Sequence, residues 1–410
     1  MSTTSQRSVV LQLGTTQTLA WASSYYLPAL LAAPLAAQMG MPVTHVFGAF
    51  TLALVISALV GPIAGRTIDR LGGRAVLLAT NGIFAFGLAA LGLAQAEWQV
   101  WAAWCVIGVA MGSGLYDAAF ATLVRLYPLS ARNAITGITL IAGFASTVGW
   151  PLTHWGLETF GWRGTCMAWA ALHILLGLPL HSWLPRERQQ EALAVRTEAA
   201  SSPSAPAILP VAAAALTPEP EVQRRGMAIM LATVFAIIWF TSTAMAAHLP
   251  LLLQTQGLSA QAALGVAMLV GPAQVAGRLL EFSFLRLATP LLSSRLAAAG
   301  HPLGVLLLLA LGGPFSAWLF AALHGMGNGI LTIAKGTLPL MVFGAAGYGE
   351  RQGWLMAPAR VSQAFAPVLF GIAIAQWDGH ALWLTAALGI LALVLLQALA
   401  LWMARLARFD

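Results

Sequence analysis

The sequence contains very little charge. Only 8% of its 410 residues are Asp, Glu, Lys or Arg, and lysine occurs once, as Lys335. A typical soluble domain carries about 25% charged residues. Because 59% of the residues are hydrophobic and the mean hydropathy is +0.81, the composition excludes a water-soluble fold. Repeated apolar runs reach roughly 18 residues or more, the length with which a helix crosses the hydrocarbon core of a membrane.

Cysteine is nearly absent as well, with two residues in the chain. Cys105 and Cys166 both fall inside apolar runs, and neither a Cys-x-x-Cys pair nor a Cys/His cluster with metal-ligand spacing occurs. We therefore expect no disulfide framework, no metal site and no cofactor. The phosphate-binding sequence Gly-x4-Gly-Lys-[Ser/Thr] is missing too, which excludes ATP-driven transport within this chain.

The formal net charge is +7, and its placement indicates how the chain crosses the membrane. Arginine is concentrated in alternate loops, and Arg163 is the main exception. This positive-inside pattern predicts that both termini and the central loop are cytoplasmic. The basic charge therefore indicates a multi-pass protein of a bacterial-type inner membrane, surrounded by lipid, and not a partner of nucleic acid. The arginines in question are Arg66, Arg70, Arg74, Arg125, Arg132, those from Arg186 to Arg225, Arg286, Arg295, Arg351, Arg405 and Arg408.

The apolar runs predict twelve membrane spans in two groups of six. Between the groups, residues 186–224 are rich in Pro, Ser and charge without apolar periodicity, which is typical of a flexible linker. We predict an N-terminal six-helix bundle at 1–185, a cytoplasmic linker at 186–224 and a C-terminal six-helix bundle at 225–410. The spans are predicted at residues 9–38, 43–65, 74–95, 98–126, 132–156, 163–184, 225–256, 260–285, 290–311, 314–340, 351–376 and 380–404.

The two predicted bundles repeat each other in sequence. Gly61-Pro62 near the end of the second span matches Gly271-Pro272 in the eighth, and each is followed by a Gly-Arg-x-x-acid phrase. Met111-Gly112-x-Gly114 likewise matches Met326-Gly327-x-Gly329. Many secondary transporters are built from such a duplication, with a substrate site between the related halves. We predict that the halves superpose, with Gly61 on Gly271 and Met111 on Met326.

The loop after the second span reads Gly65-Arg66-Thr67-Ile68-Asp69-Arg70-Leu71-Gly72-Gly73-Arg74. It resembles the signature loop of the major facilitator superfamily, although Gly73 stands where that pattern has a basic residue. Together with the spans, the linker and the repeat, the resemblance implies an all-α integral membrane fold of 12 transmembrane helices in two pseudo-symmetric six-helix bundles. It also implies a cytoplasmic gating motif, which consists of Gly65, Asp69, Arg70, Gly72 and Arg74.

Charge gives that loop a physical role. Asp69 can approach a helix N-terminus or an Arg, while Arg70 and Arg74 stay near the anionic cytoplasmic face. Such a latch would hold the cytoplasmic side shut in one state and release it in the other. The alternative is a basic anchor that only fixes the topology.

Two further resemblances leave the subfamily open. Residues 271–278 are similar to a segment of monocarboxylate transporters in which Asp and Arg stand four apart; Arg278 fits the Arg, and Gln274 replaces the Asp. Drug exporters of the superfamily usually carry an Arg in the middle of the fourth span and Gly-Pro at the end of the fifth. Here that Arg is missing and Trp150 interrupts Gly149 and Pro151, which weakens the interpretation as a drug antiporter.

Two ionisable residues stand inside equivalent predicted spans, Asp117 in the fourth and Lys335 in the tenth. A charge inside a membrane is costly unless it is paired, protonated or hydrated. Both residues are therefore candidates for substrate binding or proton coupling, and we expect them to line one cavity. The alternatives are that Asp117 pairs with Arg125 near the end of its helix, and that Lys335 reaches the cytoplasmic interface.

Further polar residues inside the spans complete the candidates for substrate binding or proton coupling. Arg278 either faces the cavity or is held by Glu281, and we favour the second. Arg360 lies either at the interface or in the cavity. His248 and Met245 share a helix face, but two soft ligands do not make a metal site. The other candidates are Gln274, Tyr116, Asn328 and Gln363.

The sequence thus predicts a monomeric secondary active transporter that moves a small organic solute by alternating access, with proton coupling; an anion is one option for the solute. The sequence contains no nucleophile–base or metal constellation that points to an enzyme. Two alternatives stay open: a transporter of drugs, toxic compounds, metals or metalloids with the same fold, and a membrane receptor or sensor that binds without transporting.

Overall fold

A computed structural model describes residues 5–185 and 221–406 of the chain. The described part contains fifteen α-helices and no β-strand. Residues 186–220, where most of the linker is predicted, lie outside the described residues, as does Arg408. The first nine helices are α1 (Gln6–Ser23), α2 (Pro28–Met39), α3 (Val43–Leu71), α4 (Gly73–Leu93), α5 (Glu97–Gly114), α6 (Tyr116–Leu126), α7 (Ala131–Ile141), α8 (Ala145–Leu172) and α9 (Leu178–Ser182). The last six are α10 (Glu221–Thr255), α11 (Ala260–Ser283), α12 (Pro290–Leu311), α13 (Gly313–Phe343), α14 (Tyr348–Trp377) and α15 (Leu382–Leu406).

These helices form twelve crossing segments in the described part. Helices α1 and α2 make one broken crossing, and so do α5 and α6. The chain from α7 to α9 crosses twice because it turns back at Gly161, whose φ is 66°. Each remaining helix crosses once. By length and hydropathy, nine stretches of the described residues qualify as spans, and two of them, Ala131–Ser182 and Tyr348–Leu406, are long enough to cross twice. The predicted all-α membrane fold is confirmed.

The first predicted span, 9–38, is interrupted in the structure. Helix α1 ends at Ser23 and α2 begins at Pro28. The ring of Pro28 has no N–H to continue a helical ladder, so it suits the first position of a new helix. The Ser23 and Ser24 hydroxyls donate to the carbonyls of Leu19 (2.8 Å) and Ala20 (2.5 Å), which satisfies two acceptors next to the break. Tyr25 and Tyr26 lie within this break and pack against the buried core of the first half.

The two halves pack their helices in the same way. Helix α5 packs on α3 and α4 in the first half, and α13 packs on α11 and α12 in the second. Glycines of the repeated phrases permit both sets of contacts: a Cβ at Gly112 would lie 2.9 Å from the Ser57 oxygen, and one at Gly329 would lie 2.1 Å from the Gln274 oxygen. Small residues let membrane helices approach closely, where no hydrophobic force draws them together. The repeated glycine phrases therefore lie on equivalent helices.

The halves meet mainly at one end of the molecule. Helix α3 packs along α14, α6 also contacts α14, and α7 contacts α11 and α13. This end carries the segment from Gly65 to Arg74, which is helical except at Gly72, and we call it the motif end. Among the described residues, no comparably extensive contact joins the halves at the opposite end, where α2, α8 and the C-terminal part of α10 lie. The interface is thus closed at the motif end.

Candidate functional site

Asp69 joins the two halves at the motif end. Its Oδ1 accepts a hydrogen bond from the Gly349 N–H (2.9 Å) and its Oδ2 accepts one from the Glu350 N–H (2.8 Å). These amides belong to the first turn of α14, where four N–H groups lack partners within the helix and the helix dipole favours an anion. Arg66, one turn before Asp69, forms an ion pair with Glu350. The Asp69 carboxylate on α3 therefore caps the N-terminus of α14, a helix of the other half.

Two glycines make this contact possible. A Cβ at Gly65 would lie 2.0 Å from the Gly349 oxygen, and one at Gly349 would lie 2.5 Å from the Gly65 oxygen. Any larger side chain would force α3 and α14 apart. Gly72 ends α3 with φ 92°, a conformation that favours glycine. Arg70 is exposed and Arg74 is half-buried at the same end. The five residues of the predicted gating motif thus lie at or beside the contact between the halves.

Asp117 and Lys335 lie together in the interior, between the halves. Helix α5 ends at Gly114 and α6 starts at Tyr116, so Asp117 occupies the first turn of a helix. Its Oδ1 is 3.8 Å from Lys335 Nζ, and its Oδ2 is 2.5 Å from Arg360 Nη2. All three side chains are more than nine-tenths buried. One carboxylate therefore faces two cations contributed by the other half.

Two neutral side chains complete the bonding of this cluster. Gln352 donates through Nε2 to Asp117 Oδ1 (3.3 Å) and to the Lys335 carbonyl (3.1 Å), which ties α14 to α6 and α13. Arg360 also donates to the Ser57 hydroxyl on α3. We define the central cluster as Asp117, Lys335, Arg360, Gln352 and Ser57. It carries one more positive than negative charge.

A third buried cation lies nearby and forms no ion pair with another described residue. Arg278 on α11 is only 6% exposed, and its Nε has no hydrogen-bond partner among the described residues. It extends toward the other half, because its Nη1 is 2.1 Å from the point where a Cβ on Gly143 would lie. The pairing with Glu281 that we favoured from the sequence is wrong: Glu281 forms its ion pair with Arg132 at 3.2 Å. Residues 278 and 281 lie on the same helix, but their side chains meet different neighbours.

A cavity adjoins the central cluster and is walled largely by rings and apolar side chains. In the arrangement described here, it has room for little more than one water molecule. Its polar lining comes from the Asp117, Lys335 and Arg360 side chains and from Tyr25 and Gln363, whose Nε2 donates to the Tyr25 hydroxyl (2.9 Å). The remaining lining residues are Trp21, Leu54, Met111, Leu115, Tyr116, Trp239 and Met356.

The structure does not bring every candidate to this cavity. Asn328, two turns before Lys335 on α13, donates to the Ser242 hydroxyl (2.6 Å) inside the second half. His248 bonds through Nε2 to the Pro367 carbonyl (2.8 Å), also within the second half. Gln274 is half-buried, and its side chain makes no hydrogen bond with another described residue. Within residues 5–185 and 221–406, no group of three or more His, Cys, Asp or Glu side chains is placed to hold a metal ion.

Four residues of the site escaped the sequence reasoning. Gln352 and Ser57 are uncharged, so nothing in a single sequence separates them from other polar residues in the helices. Trp21 and Trp239 could have been predicted from the repeat, because they are the same residue type in the first and seventh crossings, which are equivalent in the two halves. Trp21 was overlooked because tryptophan in a membrane protein is expected at the interfaces.

Known proteins match both the sequence and the fold. The profile of the Major Facilitator Superfamily matches residues 13–347. The proton:xylose symporter XylE bound to 6-bromo-6-deoxy-D-glucose superposes with a TM-score of 0.71 at 14% identity, over 95% of this chain and 94% of that chain.

Two further solved structures superpose over nearly their full length. FucP, a transporter of the superfamily in the outward conformation, gives a TM-score of 0.68 at 12% identity, over 95% of this chain and 98% of that chain. The human organic anion transporter MFSD10 (TETRAN) gives 0.65 at 16% identity, over 95% and 99%. At such identities the superpositions establish the fold alone, and the sequence profile establishes the family. The chain belongs to the Major Facilitator Superfamily and is a membrane transporter of that fold.

Proposed function

We propose that this protein is a secondary active transporter that moves a small organic anion together with a proton across a bacterial-type inner membrane. The observation that carries the proposal is the excess of buried positive charge between the halves. Lys335, Arg360 and Arg278 are all more than nine-tenths buried. Two carboxylates are buried as deeply beside them: Asp117 faces Lys335 and Arg360, and Glu281 is already paired with Arg132. The transported anion would supply the missing negative charge.

The strongest demand for an anion comes from Arg278. A buried charge without a partner costs several kcal/mol, so such groups are retained where a ligand neutralises them. A guanidinium presents two parallel N–H donors that fit a carboxylate or sulfonate in a bidentate arrangement. Gly143 leaves room for this side chain to reach across the interface. The acid group would therefore bind between Arg278 and Lys335; of the two, Lys335 lines the cavity in the arrangement described here.

Asp117 would couple the anion to a proton. While ionised, its carboxylate offsets one of the two positive charges on Arg360 and Lys335 and competes with the substrate for both side chains. Protonation of Asp117 removes this competition and leaves both cations free for the substrate. Anion binding and proton binding then favour each other, because each raises the affinity for the other by the same factor. The anion and the proton would thus move in the same direction.

The motif end would be the cytoplasmic gate. The positive-inside pattern assigns the loop containing Arg66, Arg70 and Arg74, and both termini, to the cytoplasm. The hydrogen bonds of Asp69 to the amides of α14 would hold this gate shut in the arrangement described here. Breaking them and closing the opposite end would expose the same cavity to the cytoplasm, as alternating access requires.

The test is binding and transport with purified native protein and the Arg278→Gln variant. We expect native protein in proteoliposomes to take up a sulfonate or carboxylate faster than protein-free liposomes, with stimulation by an inwardly directed proton gradient. Arg278→Gln should lower anion affinity about 10- to 100-fold, since a hydrogen bond to a charged group is lost. Arg295→Gln is the control, because Arg295 bonds to Gln397 away from the cavity.

Stability gives the same experiment a second readout. Removing an unpaired buried charge should leave the unfolding temperature of Arg278→Gln equal to or above that of the native protein in the absence of ligand. Preference for organic cations or metal ions over anions would contradict the proposal and favour a drug or metal transporter. Tight anion binding without uptake would contradict transport and favour a receptor.

A further inference from the structure

Aromatic rings surround the ammonium group of Lys335. Nζ lies 4.9 Å from the ring centroids of Tyr116 and Trp239, 5.8 Å from that of Phe120 and 5.9 Å from that of Trp21. Three of these rings belong to the first half and Trp239 belongs to the second. The rings also contact one another: Trp21 and Tyr116 are 5.0 Å apart between centroids, and Tyr116 and Phe120 are stacked at 5.4 Å.

An ion pair between Lys335 and a bound anion does not require so many aromatic rings. An aliphatic anion needs a cation and a smooth apolar surface, and Leu54, Met111, Leu115 and Met356 supply such a surface in the rest of the cavity. The aromatic wall is instead built from both halves, with one tryptophan in the first crossing and one in the seventh. It therefore closes around a ligand only when the halves come together.

Trp21 adds a hydrogen-bond donor that has no acceptor in the protein. The residue lines the cavity and is 8% exposed, and its buried indole N–H has no hydrogen-bond partner among the described residues. Buried indole N–H groups usually find an acceptor. An acid group at Lys335 would bring oxygen atoms to this part of the cavity, where one of them can accept from Trp21.

From the aromatic wall, the free indole N–H and the cations beside them, we infer that the transported anion carries an aromatic ring; this rests on the proposed function. The ring stacks among Trp21, Tyr116 and Trp239, and the acid group faces Lys335. Ring–ring contacts and the attraction between a cation and a ring face both favour such a ligand over a saturated one of equal charge. The cavity must widen to admit such a ligand, as the separation of the halves during alternating access would allow.

The experiment compares three ligands of nearly equal shape on the purified native protein. Benzoate and cyclohexanecarboxylate have the same charge and differ in the π face, while benzamide keeps the ring and loses the charge. Titration calorimetry in detergent avoids the passive permeation of weak acids. We expect benzoate to bind about 10-fold more tightly than cyclohexanecarboxylate, and benzamide to bind more weakly than benzoate.

Variants show which ring gives the preference for benzoate over cyclohexanecarboxylate. Trp239→Leu should remove most of the benzoate preference, and Trp239→Phe should retain it. Trp354→Leu is the matched control, because Trp354 is 61% exposed on α14 and does not line the cavity. Equal affinities of native protein for benzoate and cyclohexanecarboxylate would overturn the aromatic inference and leave anion transport standing. Failure of benzoate to bind would also overturn the aromatic inference. Equal binding of benzamide would show that the site does not recognise the negative charge, and would overturn the proposed function itself.

Discussion

Replacing Asp117 by Asn is the most severe test of the central cluster. The change preserves the size of the side chain but leaves Lys335 and Arg360 buried with no opposing charge. At 3.8 Å between Lys335 Nζ and Asp117 Oδ1, and with an effective dielectric constant of about 20, the attraction of this pair alone is about 4 kcal/mol. Removing one partner of a buried ion pair usually destabilises a protein by about 3–5 kcal/mol. We therefore expect the free energy of unfolding of Asp117→Asn to fall by an amount in that range.

The structure also predicts an asymmetry between the two partners. Lys335→Gln should be milder than Asp117→Asn, because Asp117 keeps its bond to Arg360 at 2.5 Å. The double replacement of Asp117 by Asn and Lys335 by Gln removes one charge of each sign. It should be more stable than Asp117→Asn by about 1–3 kcal/mol, while anion binding is weakened because the Lys335 cation is lost.

The assay is reversible unfolding of the purified variants in detergent, followed by intrinsic fluorescence, with anion binding measured in parallel. Glu158→Gln is the control, since Glu158 is an exposed carboxylate that pairs with His154 one turn away. Native stability of Asp117→Asn, or a double variant no more stable than Asp117→Asn, would refute the argument that these charges depend on each other.

Three further predictions concern the gate and the proton. Asp69→Asn should lower the transport rate while leaving the unfolding temperature within a few degrees of native, because it weakens two hydrogen bonds near the surface; an unchanged rate in proteoliposomes would contradict a latch. Gly65→Ala should separate α3 from α14 and reduce disulfide formation between cysteines introduced at positions 66 and 350, and undiminished cross-linking would refute the steric argument. Anion affinity should rise as the pH falls, because protonated Asp117 no longer competes for Lys335 and Arg360, and this pH dependence should be lost in Asp117→Asn; a dependence of opposite sign would exclude symport.

The fold could be predicted from the sequence because a membrane imposes simple rules. Helices must satisfy their own backbone hydrogen bonds in lipid, so the apolar runs translate directly into crossings. The helix from Val43 to Leu71 was predicted at 43–65, and its extra turns carry the motif into the contact with α14. The sequence predicts one continuous first span and not the break between Ser23 and Pro28, because a proline alone does not distinguish a kinked helix from two separate helices.

The site was less predictable, because a single sequence does not show which residues of different helices meet. Asp117 and Lys335 stand out as rare intramembrane charges, and the structure places them 3.8 Å apart. Glu281 forms its ion pair with Arg132, which lies about 150 positions away in sequence and in the other half. Local spacing favoured Arg278, three positions away on the same helix, and it gave the wrong partner. The roles of all these residues in transport stay predictions.

The most direct test of coupled anion transport is a record of internal pH in proteoliposomes after addition of an aromatic sulfonate. A sulfonate stays ionised and does not carry protons through lipid as a neutral acid, so any proton entry must pass through the protein. If the anion and a proton move together, the interior becomes more acidic with native protein when benzenesulfonate is added outside, and protein-free liposomes and Asp117→Asn show no change. An interior that becomes alkaline, or that does not change pH while the sulfonate enters, would contradict symport of an organic anion and a proton.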